Sequence, residues 1–559
     1  MRAQPSGPLR RFFSSLSVAA ALGVSLGAQA PAARTAEVAP EVGTRVDAVF
    51  ARWNSTATPG CSVGVSRGGQ PVLARAYGMA DLEHAVPNTP DTVFEAGSVA
   101  KQFVAAAVLQ LARSRKLSLD DPARTYLPEL PDYGAPITVR QLLQHTSGLR
   151  DWGAVAALGG WPRHTRAYTH AHVLDIVSRQ RALNFNPGDS YSYTNTGYNL
   201  AAILASRVSR MSFADYTRDT LFRPLGMTRT GWRDDFTAIV KDRAIAYTRT
   251  EQGWRMQMPF ENVHGNGGLL TTVDDLLAWN ENFVHGRVGG PEFARDMLQP
   301  ARLNDGRDLE YALGLFATTW RGIREIHHPG ATAGYRAFLA RYPDQHVSVA
   351  VLCNADDADA ASLGRQVAEL FLDRLSTRSE INGVRLVRAV LDARAGLYRN
   401  VATGEALTLV VDGEGLRVPG GRRFIPLSQT RFQSPDGALM EFDIGTNGRP
   451  RGFNAAWSAN ERHRFEPTAK ASPTPTQMRE LEGSYTSAEV ETAFTVFVEK
   501  NTLKLRQRPD REWTLRPLYA DAYWTPLALV RFIRDAEGRV IEMSLGVSRA
   551  RDVRFARMP

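Results

Sequence analysis

Ser98-Val-Ala-Lys101 sets a hydroxyl and an amine three residues apart. On a helix that spacing puts both side chains on one face, one turn from each other. A serine hydroxyl is a poor nucleophile until a neighbour takes its proton, and a lysine amine held beside it can do so. The chain has 67 Lys and Arg residues, but only six are lysine: Lys101, Lys116, Lys241, Lys470, Lys500 and Lys504. Arginine keeps its proton at any working pH, whereas a desolvated lysine can become a neutral base. A chain built on arginine has therefore put one of its few lysines where a base is needed, and none of the other five completes an S-x-x-K match.

Such a pair needs companions. Tyr191-Ser-Tyr193-Thr-Asn195 follows the turn Asn186-Pro-Gly188 and precedes a helical pattern over 197–208, so it reads as an exposed loop. A tyrosinate at Tyr193 beside a lysinium can act as general base, and Asn195 can hold a substrate amide. His327-His328-Pro329-Gly330 closes a strand pattern. His328 is placed to donate to substrate or to steady the tyrosinate. The N–H of Ala331, just past Gly330, is placed to join that of Ser98 around a developing oxyanion. Taken singly, each of these has an ordinary explanation in turn chemistry or solvation. Two serines are decoys. Gly60-Cys-Ser62-Val-Gly64 matches the nucleophile elbow, but a Gly-rich hairpin follows where that motif requires a helix. Ser147, in His145-Thr-Ser-Gly148, ends a short helix in the usual way.

The elements that must position these residues fall into two regimes. Strand patterns at 61–66 and 71–78 flank the turn Arg67-Gly-Gly-Gln70, and the Ser98 helix runs to about Ser114 with Val99, Phe103, Ala107 and Leu111 on one stripe. A mostly helical middle extends to about 285, with Thr272 and Asp275 opening one helix. Strands return near 311–320, 323–328, 335–342 and 347–353, and a last helix is predicted over 360–376, matching a first one over 41–54. This is one α/β domain with a mainly antiparallel sheet and a helical insert. From about 390, alternation and Gly turns replace helical periodicity, and a repeat appears. Ala395-Gly-Leu-Tyr398 recurs as Glu482-Gly-Ser-Tyr485, Arg449–Phe453 corresponds to Arg539–Met543, and Arg464-Phe465 recurs as Arg554-Phe555. Two all-β units joined by the Pro/Thr linker 469–477 are expected. The predicted boundaries are a signal segment 1–30, a catalytic domain 31–377 and two barrel-like domains at 390–468 and 478–559.

A chain of 559 residues exceeds one domain, and 43% hydrophobic with 22% charged residues is ordinary for a soluble globular protein. Arg2, Arg10 and Arg11, the apolar stretch 12–26 and Ala28-Gln-Ala30 read as an export signal, which predicts a periplasmic or secreted location. That stretch is too short for a permanent anchor, and no other segment reads as a membrane span. Loss of residues 1–30 lowers the net charge from +9 to +6. The positive charge is scattered arginine without a nucleic-acid motif, so nucleic acid is not an expected partner. Two cysteines, Cys61 and Cys353, are too few for a disulfide framework or a zinc site. They read first as buried thiols, with one disulfide allowed in an oxidising compartment.

The ordered set S-x-x-K (98–101), L-L-Q-H-T-S-G-L (142–149), Y-T-N (193–195), G-N-G-G-L-L (265–270) and H-P-G (328–330) resembles the serine β-lactamase and penicillin-binding-protein superfamily. Within it, the class C-like branch of D-aminopeptidases, DD-peptidases and family VIII carboxylesterases is most similar, and Phe222–Met227 also fits that group. The resemblance covers about residues 41–377. It implies Ser98 as nucleophile, Lys101 as its proton partner, Tyr193 as general base and acid, Asn195 as substrate ligand and His328 in the third motif, with no metal or organic cofactor. His-Pro-Gly stands where β-lactamases of this type carry Lys-Thr-Gly. That departure favours the aminopeptidase and esterase branches and makes a fixed cation a titratable one, so a rate governed by His328 ionisation is expected. D-aminopeptidases of this superfamily also carry two C-terminal barrels, the last sending a loop toward the site. Asp510 and Asp521, acids in turn regions, are candidate ligands for a substrate's free amine. The expected substrate is a D-residue peptide or amide, possible peptidoglycan fragments included. A carboxylesterase, a weak β-lactamase, and a penicillin-binding sensor or wall-binding module are the alternatives. Nothing in the sequence fixes an oligomeric state.

Overall fold

The computed structural model describes residues 39–376 and 381–559, so the signal segment expected at 1–30 lies outside the described residues. Strands β1 (Cys61–Arg67) and β2 (Gln70–Tyr77) form a hairpin through Gly68 and Gly69. Both glycines take left-handed backbone, φ +57° and +78°. Strands β3 (Phe316–Trp320), β4 (Ile323–Thr332), β5 (Tyr335–Tyr342) and β6 (Val347–Cys353) complete a six-stranded antiparallel sheet in the order β3-β4-β5-β6-β1-β2. The two-residue period of β6 sorts its faces. Val347, Val349 and Val351 pack with α1 (Pro40–Phe50) and α5 (Ala360–Glu369), while Ala350 and Leu352 face the helical region. That region holds α2 (Ala100–Arg113) packed on α3 (Asn195–Ser209), with α4 (Val273–His285) against β1 and β6.

Three expectations are corrected. Cys61 and Cys353 are not buried thiols: they sit opposite each other in the β1–β6 register, Cα atoms 4.0 Å apart, and are bonded to one another. Helix α5 stops at Glu369 rather than 376, because tight turns after it fold Phe371 and Leu372 back into the core under the sheet. The Pro/Thr linker is partly helical: Thr474 caps Pro475–Glu480, accepting from Gln477 N at 3.2 Å.

The repeat emerges in full. Residues 396–467 form a closed eight-stranded barrel and 483–557 a nine-stranded sheet whose end strands, Arg511–Thr514 and Arg516–Tyr519, are consecutive in the chain. Equivalent residues make equivalent contacts. Tyr398 donates to Arg394 O and Tyr485 to Leu481 O, both at 2.8 Å. Phe453 pairs with Phe465 as Met543 pairs with Phe555. The first barrel keeps its own core, whereas the core of the second is continuous with the helical region of the catalytic domain.

One buried ion pair fixes the turn that carries Ser98. Glu95 ends the short strand Phe94–Glu95 and takes Arg233 bidentately at 2.8 and 3.0 Å. It also accepts from Gly268 N at 3.1 Å, which ties the 265–268 loop to the strand that leads into Ser98. Truncating one partner of such a pair leaves an uncompensated buried charge. Glu95→Ala is expected to cost about 3–5 kcal/mol, read as a lower denaturation midpoint, with activity lost alongside because the loop is released.

Candidate active site

Ser98 lies in a 3-10 turn, Gly97–Val99, at the mouth of α2, partly exposed to a cleft of about 750 Å³. One turn on, Lys101 is fully buried. Its Nζ lies 3.1 Å from Ser98 Oγ, 3.0 Å from Asn195 Oδ1 and 2.8 Å from the carbonyl oxygen of Asn266. Burial, followed by the positive charge of Arg549, drives the lysine well below its ordinary pKa. A neutral amine has two N–H donors and one lone pair. Two of the three neighbours, the amide and carbonyl oxygens, only accept. The lone pair therefore faces Ser98 Oγ–H, the geometry of a base ready to take that proton.

Tyr193 and Asn195 come from the loop entering α3. Thr194 caps the helix, accepting from Thr196 N at 3.2 Å, which starts α3 at Asn195. Asp151 fixes the start further by accepting from Asn195 N at 2.8 Å. Burial pushes the Tyr193 phenol well above its ordinary pKa. Both shifts favour uncharged groups. Burial thus opposes the tyrosinate–lysinium pair expected from the sequence and favours a phenol beside an uncharged amine.

Around Tyr193 runs a hydrogen-bond chain that settles two histidine tautomers. Ser192 N–H donates to His145 O at 3.0 Å and Thr194 N–H to His145 Nδ1 at 3.2 Å, so His145 clips the Tyr193 loop from both sides. With Nδ1 accepting, Nε2–H donates to Tyr311 Oη at 3.1 Å. The Tyr311 hydroxyl donates in turn to His328 Nε2 at 3.3 Å, and His328 Nδ1–H donates to Pro329 O at 2.6 Å. Burial, then Lys101, lowers His328 to about 3, and burial lowers His145 in the same sense. His328 is therefore a neutral strut whose ring nitrogens are both engaged. It is not the titratable donor expected from the sequence.

The strand β4 meets the nucleophile turn backbone to backbone. A Cβ on Gly97, whose φ is +50°, would lie 2.6 Å from Ala331 N, and one on Gly330 would lie 2.1 Å from Ala96 O. Only glycine at both positions brings the Ala331 amide alongside Ser98, where two N–H groups can face one oxyanion. Ser98, Tyr193, Asn195, His328, Gly330 and Ala331 all line the same cleft. The decoys are elsewhere: Ser62 donates to Thr89 O inside the sheet at 2.8 Å, and Ser147 Oγ accepts from Leu149 N at 3.3 Å. Asp521 is paired with Arg534 at 2.9 Å, Asp510 lies exposed in a turn, and neither lines the cleft. Sequence reasoning missed His145, Asn266, Tyr311 and Arg549. The first two stand inside motifs quoted for their spacing. The other two carry no local signal.

A model of the Beta-lactamase family matches residues 46–371. The chain belongs to that family. Among curated members of this superfamily, a D-aminopeptidase of Gluconobacter oxydans is 31% identical over 348 residues, 61% of this chain and 65% of its own length. A D-aminopeptidase of Brucella canis is 30% identical over 305 residues, 54% of this chain and 58% of its own. The match thus spans less than two thirds of either relative. The octameric penicillin-binding protein homologue from Pyrococcus abyssi superposes with a TM-score of 0.54 over 76% of this chain and 99% of that one, at 24% identity, a likeness of fold.

Tyr311→Phe would strand His328 Nε2 without a donor and His145 Nε2–H without an acceptor. The expected cost is about 1–3 kcal/mol for each buried group, read as a lower unfolding midpoint, with reduced turnover as the Tyr193 loop loosens. Because His328 is already neutral, the pH–rate profile between pH 5 and 8 is expected to keep its midpoint in His328→Gln, whatever the loss in rate.

Proposed function

We propose that this protein is an exported serine hydrolase that cleaves D-amino-acid amides and peptides through an acyl-enzyme on Ser98. The observation that carries the reading is the buried Lys101 amine, 3.1 Å from Ser98 Oγ and without an acidic hydrogen-bond partner. The D-aminopeptidases among its relatives support the substrate class.

The chemistry follows from the geometry. Lys101 Nζ takes the Ser98 proton as Oγ attacks the substrate carbonyl. The N–H groups of Ser98 and Ala331 hold the oxyanion, and Asn195 orients the substrate amide. Tyr193, a phenol, gives its proton to the leaving nitrogen and is reprotonated from the Lys101 ammonium. The carbon–nitrogen bond breaks, leaving an ester on Ser98. Water then enters, passes a proton back through the same pair, and releases the acid. All of these side chains and amides belong to the chain itself. Export draws support from the bond between Cys61 and Cys353, since such bonds persist mainly in oxidising compartments.

Steady-state hydrolysis of D- and L-alanine p-nitroanilides beside p-nitrophenyl butyrate tests this. The D-anilide is expected to be cleaved in preference, with kcat falling by about 10³-fold or more in Ser98→Ala. Ester cleavage alone would favour a carboxylesterase, and turnover surviving Ser98→Ala would overturn the site. The acid limb of kcat/KM is expected to belong to Lys101: a proton on its lone pair removes the base, so activity falls as pH drops through its lowered pKa. Lys101→Arg, which cannot lose its proton, is expected to be inactive at every pH.

A further inference from the structure

The second β unit sends one hairpin, strands Val540–Val547 and Ala550–Arg557, to the cleft. The hairpin is docked by main-chain bonds. Arg549 O accepts from Asp151 N at 2.9 Å and from Asn184 Nδ2 at 3.1 Å, and Arg551 N donates to Asn184 Oδ1 at 2.8 Å. Asp151 is the residue whose carboxylate holds Asn195, so the hairpin tip sits one residue from the substrate-facing loop. Buried Arg150 anchors it from behind, donating to Arg551 O at 3.1 Å and Asp552 O at 3.0 Å and pairing with Glu489 at 2.6 Å.

All of this leaves the Arg549 side chain free. Its guanidinium stands 5.0 Å from the centroid of the Tyr193 ring and lines the cleft with Ser98. Among the described residues it has no ion pair and no side-chain hydrogen bond. The other charges around the cleft are engaged. Arg163 is held by Glu261 at 3.0 Å. Asp356 accepts from Arg249 N at 3.0 Å, Asp357 from Trp53 Nε1 at 3.1 Å, and Asp359 caps α5 through Ser362 N at 3.0 Å. Arg336 donates to the carbonyls of Ala333 and Tyr335, both at 2.8 Å. Among the described residues lining the cleft, Arg549 is the one arginine whose side chain has neither an ion pair nor a hydrogen bond.

We infer that Arg549 is the specificity-determining residue of this site and selects substrates whose leaving group carries a carboxylate. The inference rests on the hydrolase reading above and narrows it. Tyr193 protonates the leaving nitrogen, and in a leaving amino acid the carboxylate carbon is two bonds from that nitrogen. A guanidinium over Tyr193 is therefore positioned for the carboxylate of a C-terminal residue and opposes a protonated amine. The hairpin does approach the site as the aminopeptidase resemblance implied, but its charge is the reverse of an amine ligand's.

The test compares kcat/KM on N-acetyl-D-alanyl-D-alanine with that on its C-terminal carboxamide, in the full chain and in Arg549→Met and Arg549→Glu. The side chain takes no part in docking, so both variants are expected to fold. The acid is expected to be preferred, and the acid-to-amide ratio to fall about 10- to 100-fold in Arg549→Met, the value of a charged hydrogen bond. Arg549→Glu is expected to raise relative turnover of D-alanine p-nitroanilide, which carries a free amine. An acid-to-amide ratio near one in the native chain, or one unchanged in Arg549→Met, would overturn the inference while leaving the hydrolase reading intact. Should neither peptide be cleaved, competition against p-nitrophenyl butyrate decides. Stronger inhibition by the acid than by the amide upholds an anion site even if the amidase reading fails, and equal inhibition overturns it.

Discussion

The structure turns on an amine buried beside a hydroxyl with no acid hydrogen-bonded to it. Lys101 Nζ has Ser98 Oγ, Asn195 Oδ1 and the Asn266 carbonyl around it, and none of the three carries a charge. Charging an amine there is costly, and the cost is what makes it a base. The rest of the site preserves that condition. Asn199 donates to Asn266 Oδ1 at 2.7 Å and to His264 O at 2.8 Å, which holds the Asn266 carbonyl on target. Glu95, the carboxylate nearest in sequence, is paired with Arg233. Tyr193 stays a phenol, and His145 and His328 stay neutral because burial opposes their charged forms.

The same logic explains how His-Pro-Gly can stand at the third motif. A lysine there would place a cation within reach of Lys101, whereas a histidine fixed by Tyr311 and Pro329 O supplies shape without charge. The relay from Thr194 N–H through His145, Tyr311 and His328 to Pro329 O links the Tyr193 loop to the strand that carries Ala331. Tyr193 and the Ala331 N–H are thus set relative to each other by His145, Tyr311 and His328. A directional chain of this kind satisfies the ring nitrogens of His145 and His328 and the Tyr311 hydroxyl, and removing one member exposes its neighbours to the full desolvation cost.

Much of this was legible in the sequence, and the reason is period and spacing. S-x-x-K fixes two side chains on one helix face, strand alternation gave the six-stranded sheet, and the Tyr398 and Tyr485 repeat located both β units. Long-range pairing was not legible. That Cys61 faces Cys353 depends on strand order across 292 residues, and local pattern does not encode strand order. Protonation is not legible locally for a related reason. A tyrosinate and a titrating His328 are reasonable for an exposed loop and a strand end, but Tyr193 and His328 are covered by residues far apart in the chain. Tyr311 and Arg549 illustrate the limit: neither lies in a motif, and each acquires meaning only from what the fold brings beside it.

Arg549 joins these themes. It is a cation from a separate β unit, placed above a base that depends on being uncharged, and its field acts in the same direction as burial in keeping Lys101 neutral. That field protects the lone pair and also weakens the base. A carboxylate bound at Arg549 offsets that field, so Lys101 becomes more basic as an anionic substrate arrives. A neutral substrate leaves the field in place. One guanidinium can therefore discriminate twice, in binding and in the strength of the base. It can do so only because the hairpin is docked through its main chain, which leaves the side chain uncommitted.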